Sequence, residues 1–405
     1  MSGFETWLFD WANLIGRGLH LITGIAWIGA SFYFVWLDNH LEPPADEKLR
    51  AAGVAGELWA VHGGGFYNPQ KYFNAPPAMP AHLHWFKWEA YSTWLTGMFL
   101  LGLIYYGQAG AYLIDRQVAA LAPWQAIVIG LAFLAGGWVV YDQLCKSRLG
   151  QNERALAGVL AVLLAVAAWG LCQLFSGRGA YIHFGAMLGT IMVANVFFVI
   201  IPGQRAMVAA MAAGQVPDPV YGKRGKQRSV HNTYFTLPVL FAMISNHFPM
   251  TWGAPYNWLV LIGIAVASAA IRAWFVARHN ERLRGRASPV PLIAGLVILA
   301  AVMVALRPTV PVAGSAALTP QAEFAKVREI ITARCASCHA AAPTQAGFTV
   351  APKGVRLDGP EEIVAQAQAM RTQLAARAMP LGNLTNMSDD ERAAVLAWID
   401  RGMPR

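Results

Sequence analysis

Apolar residues gather into eight long runs, at about residues 11–37, 85–107, 122–141, 155–175, 181–202, 231–249, 256–277 and 289–306. A helix needs about 20 such residues to cross roughly 30 Å of hydrocarbon. The pattern therefore predicts an all-α fold: a polytopic membrane bundle of about eight transmembrane helices. After residue 307 the pattern changes. Residues 308–322 are rich in Pro, Ala, Gly and small polar residues without an apolar period, which reads as a tether. Beyond it, Phe324, Val327, Ile330 and Ile331 recur at helical spacing, and Ser388-Asp389-Asp390-Glu391 forms a capping box ahead of Val395, Leu396, Trp398 and Ile399. The chain thus divides into a membrane domain 1–307, a linker 308–322 and a small helical domain 323–405.

Composition agrees: 405 residues with 56% hydrophobic and 13% charged content exclude an ordinary soluble globule for most of the chain. The net charge of +9 lies mainly in the first part, where residues 1–311 hold 21 Lys/Arg against 13 Asp/Glu, while residues 312–405 hold 10 against 9. These basic residues fall in short loops between apolar runs, so they report insertion topology and membrane lipid, and nucleic acid is not an expected partner. On an eight-helix count both ends share one side. The inner loops then carry sixteen Lys/Arg, from Lys48 to Arg286, and the outer loops before the last span only Arg116 and Arg178. The first run has no basic leader and no small-residue cleavage site, and reads as a retained span.

The chemistry of the small domain is concentrated in Cys335-Ala336-Ser337-Cys338-His339. In C-x-x-C-H two thiols can add across the vinyl groups of one porphyrin, with the following histidine below the iron. The plainer reading, half of a zinc site or a dithiol, lacks a second C-x-x-C, since Cys145 and Cys172 lie in apolar runs. A thioether opposite the histidine raises the haem potential, and Met379, followed by Pro380 on a loop before the last helix, is the expected second ligand. Met370 and Met387 read as core fillers. From residue 323 the chain resembles a small class I cytochrome c. Covalent haem c is attached and used outside the bacterial cytoplasm, which places both termini and this domain in the periplasm of a protein of the bacterial inner membrane.

Ionisable side chains within spans usually face a cavity, a cofactor or a partner. On the outer side these are Arg17, His20, His183 and His247; on the inner side His82, His84, Glu89, His231 and Arg272. Two facing histidines with an arginine near a propionate would suit a bis-imidazole haem b, though a lone membrane histidine is commonly a hydrogen-bonded packing residue. Gly18-Leu19-His20 through Trp27-Ile28-Gly29 resembles the first helix of small haem-b-binding membrane oxidases, which points to His20 with His183 or His247. The long connection after the first span holds Glu57 to Tyr67, with three glycines, and Leu83 to Glu89. Its aromatic rings offer stacking faces, and His62, His84, Lys87 and Glu89 offer proton and charge chemistry; an interfacial aromatic belt with a glycine turn is the plainer alternative.

Over residues 11–306, and most specifically in His20–Asn39, Gly56–Tyr67 and Leu83–Gly97, the chain resembles the bacterial integral-membrane urate oxidases, or urate hydroxylases, that carry a C-terminal cytochrome c domain. The resemblance implies eight spans, oxidation of urate to 5-hydroxyisourate, and electrons handed to the cytochrome. It carries no catalytic residue over. From the residues, His62, His84 or Glu89 would take the proton and Lys87 or Arg272 hold the anion. Urate is then the expected substrate, and a downstream respiratory oxidase or a soluble cytochrome the expected electron partner. The expected cofactors are one covalent haem c, held by Cys335, Cys338, His339 and Met379, and a non-covalent haem b at His20, His183, His247 and Arg17. A bare electron relay from quinol or a partner subunit is the competing class. A transporter is a third, disfavoured by the lack of inverted repeats.

Overall fold

The computed structural model describes residues 3–72, 76–278, 287–307, 319–345 and 348–405. Most of the tether and Arg282, Arg284 and Arg286 lie outside these residues. Each of the eight apolar runs is helical: α1 (Gly3–Asp38), α2 (Trp88–Leu100), α3 (Pro123–Lys146), α4 (Glu153–Leu174), α5 (Gly177–Ala194), α6 (Pro219–Ile244), α7 (Asn257–Arg278) and α8 (Val290–Ala305). Five helical stretches among the described residues are long and apolar enough to cross a membrane: Trp7–Asp38, Pro123–Lys146, Glu153–Leu174, Gly177–Ala212 and Asn257–Arg278. The others fall short for physical reasons. Helix α8 has 16 residues, about 24 Å at about 1.5 Å per residue. Helix α6 carries Lys223, Arg224, Lys226 and Arg228 in its first half.

Two helices depart from the α spacing. A π-helical turn, Leu101–Tyr106, extends α2, and a second, Asn195–Ile200, interrupts the run Gly177–Ala212. Such wide turns cost hydrogen-bond quality and are found often at functional sites. The run Gly177–Ala212 is the centre of the bundle, 61% buried in its apolar window, whereas that of α1 is 0% buried. Tyr181, Phe184, Met187 and Leu188 of α5 pack with Phe175, Leu171 and Leu134 in one core, and the His183 ring lies against Phe175. Helix α3 approaches closely through Gly130, where a Cβ would stand 2.6 Å from His183 Nε2. Small residues at helix contacts let backbones come together where lipid supplies no hydrophobic drive.

The connection after α1 is not a loose loop. It folds into strands β1 (Val54–Glu57), β2 (Ala60–His62), β3 (Gly65–Tyr67) and β4 (Gln70–Tyr72), paired antiparallel as β1 with β4 and β2 with β3. The pair Gly63-Gly64, at φ +59° and +80°, is the two-residue turn of the inner hairpin. Both positions need the left-handed region, which is the physical reason for glycine there.

In the small domain, α9 (Pro320–Arg334), the short helix Ala336–His339, α10 (Ala367–Ala375) and α11 (Asp389–Asp400) enclose Val327, Ile331, Met370, Met387, Val395 and Trp398. The capping box is formed: Glu391 N donates to Ser388 Oγ at 3.1 Å and Ser388 N to Glu391 Oε2 at 2.8 Å. Arg334 also clamps Glu391, Nε at 3.1 Å and Nη2 at 3.0 Å from Oε1. This hydrogen bonding holds the Glu391 carboxyl below the usual carboxylate range. The stabilisation is therefore complete above the ordinary glutamate value of about 4.3 and is lost as pH falls through the depressed folded value. Glu391→Gln is expected to lower the unfolding free energy at pH 7 by about 1 kcal/mol, with the gap closing towards pH 3. Urea denaturation of the full-length protein, followed by haem absorbance, measures it; an equal loss at both pH values would discard the ion pair as its source.

This domain is seated on one end of the bundle through the loop that carries Met379. Ala378 lies in the bundle's own core, and Gln117 Nε2 donates to Met387 O at 3.0 Å. Gly382, at φ +54°, has the Ala111 carbonyl oxygen 2.6 Å from where a Cβ would stand, and Gly253 lies closer still under the Ala376 carbonyl. Asp115 faces Arg377 and Arg392 across the contact. Burial pushes its carboxyl up against the pull of those two cations.

Candidate functional site

Three groups of residues carry chemistry. The first is C-x-x-C-H, which follows α9 directly. His339 Nδ1 is 2.9 Å from Val355 O; with its proton donated there, Nε2 keeps a free lone pair, the arrangement typical of a metal-ligating histidine. Burial pushes the Cys335 thiol up to about 11 and the Cys338 thiol also up. Cys335, Phe324 and Val355 line the apolar cluster of the domain. The residues thus fit a haem: two thiols and an oriented imidazole beside an apolar wall. Met370 and Met387 are buried in that cluster, while Met379 stands outside it, half-buried in the docking loop. Arg392 Nη1 donates to Met379 O at 2.6 Å and to Leu374 O at 3.2 Å, fixing the loop backbone.

The second group lies beneath that loop. Arg178 stacks on Tyr112 and Trp252, 5.5 and 5.2 Å from the ring centres, with Nε buried and unpartnered. Tyr105 and Tyr106, both on the first π turn, pack against His183. His183 is fully buried; its Nδ1 is 2.8 Å from Gly179 O and its Nε2 is 3.2 Å from Tyr106 Oη. Rings therefore run from the docked domain down to α5.

The third group is at the other end of α3. Tyr141 Oη lies 2.7 Å from His231 Nδ1, and His231 Nε2 lies 3.3 Å from Glu153 Oε2. Asn195, the first residue of the second π turn, donates from Nδ2 to Tyr141 Oη at 3.1 Å and to Asn232 Oδ1 at 2.9 Å. Arg228 Nη2 donates to Asp142 Oδ1 at 2.8 Å, and its guanidinium lies 4.8 Å from the Tyr141 ring centre. A row of rings, Trp138, Phe198, Phe197 and Tyr91, joins this cluster to α2 at centroid separations of 5.9, 4.8 and 5.4 Å.

The remaining candidates from the sequence are placed as follows. His20 Nδ1 is 3.1 Å from both Thr93 O and Thr96 Oγ1, at the contact of α1 with α2. Arg17 is exposed and donates to Asn13. His247 is exposed in a tight turn after α6. His84 Nε2 is 3.9 Å from Glu89 Oε1, and Lys87 Nζ is 5.8 Å from the Trp88 ring centre, so these three share the start of α2. Glu89 Oε2 is buried and unpartnered. His62 stands apart on the exposed hairpin. Arg272 lies 3.8 Å over the Phe32 ring, with Nε and Nη2 buried and unpartnered. Tyr141, Asn195 and Asn232 were missed by residue type alone. An amide such as Asn195 in the middle of an apolar run was the signal that marked them.

An apolar helical bundle with a cytochrome c domain seated on it defines a membrane protein of the oxidoreductase class. The chain belongs to the urate oxidase N-terminal family, whose model matches residues 6–306. Residues 322–399 match the family described as cytochrome c oxidase, cbb3-type, subunit III, and this cytochrome c domain implies haem c. No curated relative and no solved structure matches the chain.

Proposed function

We propose that this protein is a membrane-bound urate oxidase that converts urate to 5-hydroxyisourate. Its electrons pass through haem to the chain's own cytochrome c domain and on to a respiratory oxidase or soluble cytochrome. The observation that carries the reading is the seating of the Met379 loop on the bundle that matches the urate oxidase family. Oxidation of the urate monoanion with addition of water yields 5-hydroxyisourate, one proton and two electrons. A haem c on Cys335, Cys338, His339 and Met379 supplies one-electron acceptance, twice per turnover. The chain's own contribution is to hold the loop: Arg392 fixes the Met379 backbone, and Gly253 and Gly382 allow close approach.

The loop charges support a multi-pass orientation in the bacterial inner membrane with both termini and the cytochrome in the periplasm. A haem b in the bundle would shorten a path across roughly 30 Å. His20 has Nδ1 against a backbone carbonyl, which suits Nε2 for iron; His183 would have to give up its Nε2 contact with Tyr106 Oη to serve as partner, and His247 and Arg17 complete that proposal. A bare relay would need no buried polar groups beyond haem ligands, and the unpartnered Arg228 and Asn195 atoms favour an enzyme.

The test is anaerobic. Urate added to the purified ferric protein is expected to bring up the reduced haem c bands, with loss of urate absorbance at one urate per two electrons. Unaltered ferric bands in a sample that dithionite reduces readily would end this reading.

A further inference from the structure

The cluster around Tyr141 holds more polar capacity than its own members use. Arg228 is 2% exposed, and Nε and Nη1 have no partner. Asn195 is 0% exposed; it spends its amide hydrogens on Tyr141 and Asn232 and leaves Oδ1 bare. Buried donors and acceptors without partners are costly and rare. These two donors and one acceptor belong to side chains that both touch Tyr141, and together they match a planar, acidic heterocycle that carries carbonyl and N–H groups on its edge. Charge agrees as well. Asp142 is shared by Arg228 and Lys146, at 2.8 and 2.6 Å, and the other carboxylate, Glu153, lies beyond His231 at the exposed end, so the free edge of the Arg228 guanidinium can face a monoanion.

The hydrogen directions follow from valence. Glu153 Oε2 is a carboxylate oxygen and accepts, so a neutral His231 carries its hydrogen on Nε2 and its Nδ1 accepts from Tyr141 Oη; Asn195 Nδ2 donates to the same phenol oxygen. Phenol, imidazole and carboxylate stand in the order that activates a base, and Glu153 at the far end is 61% exposed. The other groups facing His231 and Tyr141 are Asp142, Cys145 and Lys146 of α3, Arg228 and Gln227 of α6, and Asn195 of α5.

We propose that Arg228 and Asn195 hold the purine anion and that Tyr141, His231 and Glu153 carry away its proton. The assignment rests on the urate oxidase function proposed for the chain. A proton leaving the urate and water pair goes to Tyr141 Oη as the phenol hydrogen passes to His231 Nδ1 and the Nε2 hydrogen to Glu153. A ferric haem c held by Cys335, Cys338 and His339 would accept the two electrons one at a time, with an external acceptor reoxidising it between them.

The test uses full-length holoprotein in lipid nanodiscs, with haem content and ascorbate reduction as controls of folding. Tyr141→Phe is expected to bind radiolabelled urate within about twofold of wild type and to slow urate-driven haem c reduction about 100-fold. Arg228→Gln is expected to weaken urate binding about tenfold or more; if it does not accumulate, Arg228→Lys replaces it. Wild-type kcat should fall in acid, as protonated His231 cannot accept from Tyr141, and His231→Gln should be slow and lack that limb. Wild-type turnover and pH profile in Tyr141→Phe, or wild-type urate affinity in the Arg228 variants, overturns the assignment. Should urate fail to reduce the wild-type haem, the enzymatic reading falls by itself. The affinities of wild type and the Arg228 variant then still decide the cluster: equal or absent binding rejects it, and a tenfold loss upholds it.

Discussion

Full-length protein with both Cys335 and Cys338 changed to Ala is expected to show no haem staining on a denaturing gel and no urate-driven electron transfer to an external cytochrome. The bundle should still insert, because α1 to α8 lie between Gly3 and Ala305, ahead of the segment that carries the thiols. The effect is large because a thioether is the link that keeps a c-type haem on the chain; His339 and Met379 alone would leave it exchangeable. Single variants should retain one link and an intermediate haem content. Normal staining in the double variant would remove covalent haem from the account.

The second large effect is expected at Gly382. Its φ of +54° and the Ala111 carbonyl 2.6 Å from a would-be Cβ leave a β-branched side chain neither conformation nor space; the left-handed region alone costs about 1–2 kcal/mol. Gly382→Val should therefore lift the docking loop off the bundle. Haem content and ascorbate reduction should stay at wild-type levels while urate-driven reduction of haem c slows about tenfold or more, since electron transfer weakens steeply with separation. Gly253→Val makes the same change from the bundle side, beneath Ala376. If only Gly382→Val is slow, the damage is local to the haem loop; if neither is slow, the seat seen here is not the route.

These two variants probe different kinds of information. C-x-x-C-H is a local motif whose chemistry needs only the spacing of three residues, so it is legible in the chain. The apolar runs are equally legible, because lipid imposes a length and a composition on each segment separately. Gly382 has no such signature. Its importance comes from Ala111, far away in sequence, and only the packed structure brings the two together.

The candidate site divides in the same way. His62 and Gly63-Gly64-Gly65 suggested a ligand-binding loop, and the folded hairpin shows the first two glycines meeting the φ requirement of a turn. His84, Lys87 and Glu89 do gather at the start of α2, His84 exposed and the other two half-buried. The enclosed polar cluster instead draws Tyr141 from α3, Glu153 from α4, Asn195 from α5 and Arg228 and His231 from α6. Of the five, only His231, an ionisable group in a span, and Asn195, an amide in an apolar run, stand out by themselves; Arg228 reads as one more loop cation, and Tyr141 as one more interfacial ring.

By itself, then, the amino-acid order determined an apolar helical bundle, a haem-attachment motif and a capped terminal helix, since each follows from propensity, periodicity or chemistry within a few neighbouring residues. Only the tertiary structure decided which face of the cytochrome meets the bundle, where the helix widens into π turns, and which buried polar atoms converge. Those depend on side chains tens to hundreds of residues apart sharing one low-dielectric interior, where every unpaired donor or acceptor must find a partner through packing.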